Sequence, residues 1–259
     1  MTFEFDGKKY KAASAHQKEW GSKLISEFNF KGNERVLDLG CGDGAITAQL
    51  AKLLPYGKVL GIDSSKSMIE TSGNSYKSDN LTFKLKDIND IDFNNDFDLV
   101  FSNATLHWIK DHFKLLNKVY KALKTNGVVR FNFAADGNCS HFFKVIKEVM
   151  ALDKYINYFK NFEWPWFMPT IEEYQALANK MPFKEEKVWG ENADRVFPDV
   201  DSMVKWVDQP SLVPLLVYVD KKDKESFRNE VVNRMIKETI QNDGKCFETF
   251  RRVNFFARR

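Results

Sequence analysis

Cysteine is scarce in this chain: Cys41, Cys139 and Cys246 are the only three in 259 residues, far apart and never in a CxxC pair. That excludes a disulfide framework and the thiol spacing of zinc and redox sites, so no metal is expected and a reducing cytoplasm fits. Long hydrophobic runs are missing too. No stretch reaches the roughly 18 apolar residues that a membrane span needs, and the opening MTFEFDGKKYKAAS lacks the apolar core of a secretion signal. A cytoplasmic protein without membrane partners is expected. Charge of one sign is also lacking: 39 Lys and Arg against 36 Asp and Glu leave a net +3. An imbalance so small and so evenly interleaved excludes the basic footprint of a nucleic-acid binder. Neither internal repeats nor low-complexity tracts occur, and nothing calls for an obligate protein partner.

Aromatic residues are plentiful instead, with 23 Phe and 6 Trp, many of them beyond residue 130 in FNF, HFF and FEWPWF. They suit a packed core and an apolar cavity. The length accommodates one α/β domain with an insertion, because larger domains bury a greater share of their surface. Ser14 can cap a helix through about Phe28, with Trp20, Leu24 and Phe28 on one face. Apolar strands then alternate with helices: strands at 35–39, 58–62, 81–85, 98–102 and 128–133, helices at 45–54, 65–72 and 112–123, and a turn at 124–127. Continuous apolar strands of this kind belong to a parallel sheet covered on both faces. Beyond residue 134 the rhythm changes. A helix near 141–152, the aromatic loop FEWPWFMP, a helix capped by Thr170 with Glu173, a strand at 183–189, a helical stretch over 192–244 and a last strand at 249–257 follow.

In VLDLGCGDGAIT, Gly40, Gly42 and Gly44 lie between a strand and a helix, where missing side chains let backbone approach a ligand. Gly40, Gly42 and Ala45 also satisfy the dinucleotide fingerprint, so the loop alone leaves the cofactor open. Asp38 separates the readings. A carboxylate at the end of a buried strand needs a cationic partner, and a pyrophosphate would be repelled. Asp63 ends the second strand about twenty residues after the glycines, where an acid accepts ribose hydroxyls. Asp87 follows the third strand, with the amide of Ile88 beside it. Three acids at three successive strand ends share one rim of the sheet.

VLDLGCGDG, GIDSSKSMI, LKDI, FDLVFSNATLHWI and LKTNGVVRFNF together resemble the successive motifs of class I S-adenosylmethionine (SAM) dependent methyltransferases. The resemblance implies a Rossmann-like, doubly wound seven-stranded sheet with an antiparallel last strand and a helical cap insertion. It implies one domain over 1–259, with a helical cover at 1–30 and cap segments at about 135–180 and 192–244. It implies SAM as cofactor and S-adenosylhomocysteine as product. Cofactor contacts are then expected from Gln17, Trp20, Asp38, Gly40, Cys41, Gly42, Asp63, Ser64, Met68, Asp87, Ile88, Ser102, Asn103, Ala104 and His107.

SNATLHWI, MVKWVDQPSLVPLL and FETFRRVNFFA resemble trans-aconitate methyltransferases, and Tyr10 with Gln17, CGDG and TLHWI resemble juvenile hormone acid methyltransferases. Both imply a small-molecule carboxylic acid as acceptor. His107 is the candidate to position it, or else a cap of the next helix, with Trp108, Trp164, Trp166, Arg195, Arg251 and Arg252 as candidate substrate contacts; the tryptophans could serve packing instead, and for each arginine taken singly a salt bridge outweighs a substrate contact. Another small-molecule oxygen, nitrogen or carbon acceptor, or SAM binding without catalysis, stays open here, and an NAD-dependent oxidoreductase is disfavoured by Asp38 without being excluded. Nucleic-acid amines are disfavoured, because Ser102-Asn103-Ala104-Thr105 stands where an N/D-P-P-Y/F tetrad would be.

Overall fold

The computed structural model describes residues 14–259, so Tyr10 and the rest of 1–13 lie outside the described residues. Among the described residues nine strands form: β1 (Arg35–Leu39), β2 (Lys58–Asp63), β3 (Leu81–Leu85), β4 (Phe97–Asn103), β5 (Leu123–Ala134), β6 (Glu185–Asn192), β7 (Arg195–Phe197), β8 (Cys246–Glu248) and β9 (Arg251–Arg258). Seven make one sheet in the order β3-β2-β1-β4-β5-β9-β6. Strands β1 to β5 run parallel, and β9 is antiparallel to β5, with Asn132 opposite Asn254. The sheet is the one that the resemblance to class I methyltransferases implies.

Period-two alternation explains how both faces are filled. Val36 joins Leu24, Leu50, Val59 and Phe101 under α1 (Ala15–Ser26) and α2 (Ala45–Leu53). Its neighbour Leu37 joins Ile62, Val100, Leu116, Phe131 and Phe255 on the opposite face, with α4 (His112–Ala122). Helix α3 (Lys66–Ser75) precedes β3, and Ser65 caps it by accepting from the Met68 amide. The expected turn at 124–127 is instead a bulge inside β5. Phe97 pairs with Leu123 and Leu99 with Val128, so surplus residues loop out, and Asn126 takes φ +64°.

Contacts divide the chain into two units. The first holds residues up to Asp136 with Trp166–Glu191 and Arg252–Arg259, and the second holds Gly137–Pro165 and Asn192–Arg251. The first unit includes α6 (Ile171–Ala178), started by the Thr170–Glu173 capping box that the sequence announces. The second unit contains α5 (Ser140–Met150), α7 (Val200–Trp206), α8 (Val213–Leu216) and α9 (Lys224–Thr239). Residues 192–244 are therefore not helical throughout: β7 pairs antiparallel with β8. Three residues are too short to mark a strand by pattern, and their partner lies some fifty positions away. Glu248, fully buried at the end of β8, accepts from the His141, Phe142 and Thr249 amides and so caps α5 from a distance. Among the described residues no helix is long and apolar enough to cross a membrane.

Candidate functional site

The glycine loop between β1 and α2 is tied to the end of β2: the Gly40 and Cys41 amides both donate to the Ile62 carbonyl, at 2.8 and 2.9 Å. Gly40, Gly42 and Gly44 all have positive φ. At Gly40 a Cβ would come within 2.5 Å of Thr105 Oγ1, so only glycine fits beneath that side chain. The Thr105 hydroxyl donates to the Gly40 carbonyl at 3.1 Å, joining the loop to the turn after β4. The Cys41 thiol is buried and held well above its ordinary value, by burial first and then by the charges of Asp63 and Asp38. It is no nucleophile.

Asp38 is 2% exposed and accepts from the Thr47 hydroxyl at 2.7 Å. Burial pushes its carboxyl up to about 7; the Thr47 bond opposes the rise, and the neighbouring Asp63 charge adds to it. A carboxylate so poorly solvated has a strong demand for a cation. Asp63 faces outward from the end of β2 with both oxygens anchored, Oδ2 by the Gly42 amide at 3.0 Å and Oδ1 by the Ser65 amide at 2.9 Å. Asp87 caps the short turn Ile88–Asp90 through the Asn89 amide, while Ile88 itself packs into the core. Ser64 is exposed, whereas Met68 points into the core.

Beyond β4 the backbone is unusual. Ala104 adopts φ +57°, a left-handed conformation that a non-glycine residue holds only under constraint, and its amide donates to the Asn132 carbonyl at 2.7 Å. Ser102 is buried, its hydroxyl donating to the Leu39 carbonyl at 2.7 Å. Asn103 donates Nδ2 to the Gln17 carbonyl at 2.7 Å, bringing α1 to this rim. Gln17 Oε1, Asn103 Oδ1 and the Nδ1 ring nitrogen of His107 are buried with no hydrogen-bond partner. Buried polar atoms are rarely left so, and these three gather around the end of one strand.

His107 sits in a single turn, Leu106–Trp108. Burial pulls its imidazole down to about 3, with the positive charge of Arg252 and then His112 adding to the shift, so it is neutral at pH 7. The turn is fixed by the buried His112: its Nε2 donates to the Leu106 carbonyl at 2.9 Å, which leaves Nδ1 facing the Tyr174 hydroxyl at 3.2 Å. Trp166 packs on Trp108, ring centroids 5.5 Å apart, and the Phe167 amide donates to the His107 carbonyl at 2.7 Å. Arg252, 3% exposed, lies over the Trp20 ring at 4.4 Å. Trp108, Trp166 and Arg252 belong to the first unit, as do the strand-end acids. Trp164 and Arg195 belong to the second, Trp164 against Phe143 and Phe162, and Arg195 opposite Glu248 in β7.

Three participants escaped the sequence reading. Thr105 closes over Gly40, Thr47 holds Asp38, and Asn132 holds Arg252. For Asn132 a signal existed: RFNFA places an amide between two phenylalanines of a buried strand.

Asp63→Ala should weaken SAM affinity by about 1.5–3 kcal/mol for each charge-assisted bond lost. Calorimetry on the folded variant checks this, and an unchanged dissociation constant removes Asp63 from the site.

Comparison with known proteins agrees with this geometry. The sequence model of a family described as a methyltransferase domain matches residues 30–194. The chain is 28% identical over 230 residues to trans-aconitate 2-methyltransferase of Deinococcus radiodurans, covering 87% of this chain and 86% of that one. It is 33% identical over 134 residues to malonyl-[acyl-carrier protein] O-methyltransferase of Acetivibrio thermocellus, covering 51% and 47%. Among solved structures, the YcgJ protein of Bacillus subtilis superposes with a TM-score of 0.62 at 16% identity, over 94% of this chain and 98% of that one. Phosphoethanolamine N-methyltransferase 2 of Haemonchus contortus, in complex with SAM, gives 0.62 at 20% identity over 98% of this chain and 56% of that one.

Proposed function

This chain belongs to the class I SAM-dependent methyltransferases, and from that premise we propose that it methylates the carboxylate of a small organic acid. The residues fit the cofactor. Asp38, raised by burial, calls for the kind of positive charge that the cofactor's methionine end carries; Gly40 and Gly42 leave the backbone bare; and Asp63 and Asp87 present carboxylates at the ends of the next two strands. Gln17 Oε1 and Asn103 Oδ1 are the unpartnered acceptors beside them. When bound, the cofactor supplies a methyl group on a sulfonium: the acceptor oxygen bonds to that carbon as the carbon–sulfur bond breaks, leaving S-adenosylhomocysteine.

The single observation that carries the acceptor reading is Arg252, a buried guanidinium on the Trp20 ring whose positive charge reaches His107. A buried cation beside the acceptor favours an anion there. Neutral His107 keeps one ring N–H and can donate it to a carboxylate oxygen while the other oxygen attacks. A carboxylic acid of pKa near 4 is already ionised at pH 7 and needs no base, so this chain's residues have only to orient it and exclude water. The relatives named for trans-aconitate, 25% and 28% identical over most of the chain, support the same reading.

The test is the bond formed. A panel of small di- and tricarboxylic acids, trans-aconitate first, incubated with methyl-labelled SAM should give a product that mild alkali cleaves to labelled methanol. A base-stable product, a methylamine or aryl ether, removes the carboxylate assignment and leaves the cofactor assignment standing.

A further inference from the structure

The methyl transfer leaves unexplained why a histidine and a tyrosine are buried together beside the turn that carries His107. His112, the first residue of α4, is 2% exposed, and Tyr174 on α6 is fully buried. The imidazole lies among the rings of Phe133, Phe167 and Tyr174, with centroids at 5.1, 4.6 and 5.4 Å. Apolar side chains would fill such a space without burying polar groups, which is costly unless each is satisfied. Here both ring nitrogens are satisfied: Nε2 meets the Leu106 carbonyl at 2.9 Å and Nδ1 the Tyr174 hydroxyl at 3.2 Å. The Leu106 carbonyl has no need of the histidine, because it already accepts from the Ile109 amide at 2.9 Å. The extra bond therefore serves direction rather than satisfaction.

The two carbonyls that flank His107 are both held from outside the turn. The Leu106 carbonyl lies in the peptide plane before the His107 Cα and the His107 carbonyl in the plane after it, and each plane is rigid. The first accepts from His112 and the second from the Phe167 amide at 2.7 Å. With both planes fixed, φ and ψ of His107 are fixed, and so is the direction of its Cα–Cβ bond. The turn alone would hold it weakly: the bonds from the Trp108 amide to Thr105 and from the Ile109 amide to Leu106 close a single 3₁₀ turn, whose hydrogen-bond geometry is poor. A carbonyl can only accept, so His112 carries its proton on Nε2. Burial pulls its imidazole down to about 4, against the Leu106 bond and the Asp111 charge, which leaves Nδ1 bare near neutrality. Tyr174 must then donate to Nδ1, and burial holds its phenol above the ordinary range, so that proton stays. Both donors in the chain Tyr174, His112, Leu106 point the same way, and turning the ring over would break both bonds at once.

We propose that His112, oriented by Tyr174, is a positioning residue of the methyl transfer, fixing the backbone of His107 so that its ring is aimed at the acceptor carboxylate. This rests on the role given to His107 above. A displacement of about 1 Å in a group that acts on substrate can cost about a hundredfold in rate. The assay is turnover of methyl-labelled SAM with the acid that the panel identifies. His112→Asn is too short to reach Leu106 and should lower kcat roughly tenfold, with KM for SAM held within about twofold. His112→Gln sets an amide N–H near the place of Nε2 and should recover most of that loss. Tyr174→Phe keeps the shape and removes the orienting donor; it should cost about threefold, and it serves if His112→Asn does not fold. The decisive comparison is made in His107→Ala, itself slower by roughly tenfold. With no ring left to aim, neither His112→Asn nor Tyr174→Phe should slow that variant by more than about a further twofold. A merely structural role would multiply the losses instead. Multiplied losses overturn the positioning role alone. Full turnover by His107→Ala overturns it together with the role of His107, and a protein that esterifies no acid overturns it together with the carboxylate reading.

Discussion

Asp38→Asn should make the cofactor-free protein more stable at pH 8, by about 2–4 kcal/mol, while weakening its affinity for SAM roughly a hundredfold. The opposed effects share one cause. In the folded chain the Asp38 carboxyl is pushed from 3.8 up to about 7, chiefly by burial. A shift of about three units corresponds to about 4 kcal/mol against the ionised form, less whatever relaxation of the site returns. The cost is absent below the unfolded value near 4, grows as pH rises toward 7, and is complete above it. Asparagine keeps an oxygen for the Thr47 hydroxyl and removes the charge, so the gain in stability should follow that same window. Binding runs the other way. A cationic ligand favours ionised Asp38, so wild-type affinity for SAM should rise with pH and level off above about 7, losing up to about tenfold per unit below it. Asp38→Asn should bind weakly at every pH and lose that slope. Thermal unfolding from pH 4 to 9 and calorimetry over the same range check both halves. Lost affinity without gained stability would show that Asp38 is not strained in the empty site, and retained affinity that it does not meet the cofactor.

The sheet was legible because its signals are local and repeated. Five apolar strands alternating with helical segments allow little besides a parallel doubly wound array. The acids fell into place for the same reason: Asp38, Asp63 and Asp87 stand at or just past strand ends, and parallel strands bring those ends to one rim. What did not come through depends on distant partners. Strand β7 is defined by β8, and Glu248 caps α5 from about a hundred residues away. Arg252 illustrates the limit. The sequence offers it beside Arg251, and nothing local separates them. The register does: Arg252 points to Asn132 and Trp20 in the first unit, while Arg251 pairs with Asp194 in the second. Trp164 and Trp166, two positions apart in one aromatic loop, likewise fall into different units.

A strict steric demand lies at Gly40. Gly40→Ala should destabilise the protein by about 3–4 kcal/mol and abolish measurable SAM binding. Two costs combine there. At φ +74° an alanine meets the left-handed penalty of about 1–2 kcal/mol, and its Cβ would fall inside the Thr105 side chain. Overpacking a fixed site typically costs a further 1–3 kcal/mol, roughly. Relief requires Thr105 to move, yet its hydroxyl is bonded to the Gly40 and Asn103 carbonyls and it begins the turn that carries His107. The strain therefore reaches both cofactor loop and acceptor turn. A second substitution separates the two costs. In Gly40→Ala/Thr105→Gly the clash is gone and the backbone penalty stays, so about half the lost stability and part of the SAM affinity should return. Thr105→Gly alone should lose its hydrogen bonds and loosen the turn, at about 1–2 kcal/mol. The interaction between the two sites, about 1–3 kcal/mol in a double-mutant cycle, is the measured size of the contact. Additive losses would mean that Gly40 is required for its backbone alone, and the turn after β4 would then be held by Ser102, Ala104 and His112 without Thr105.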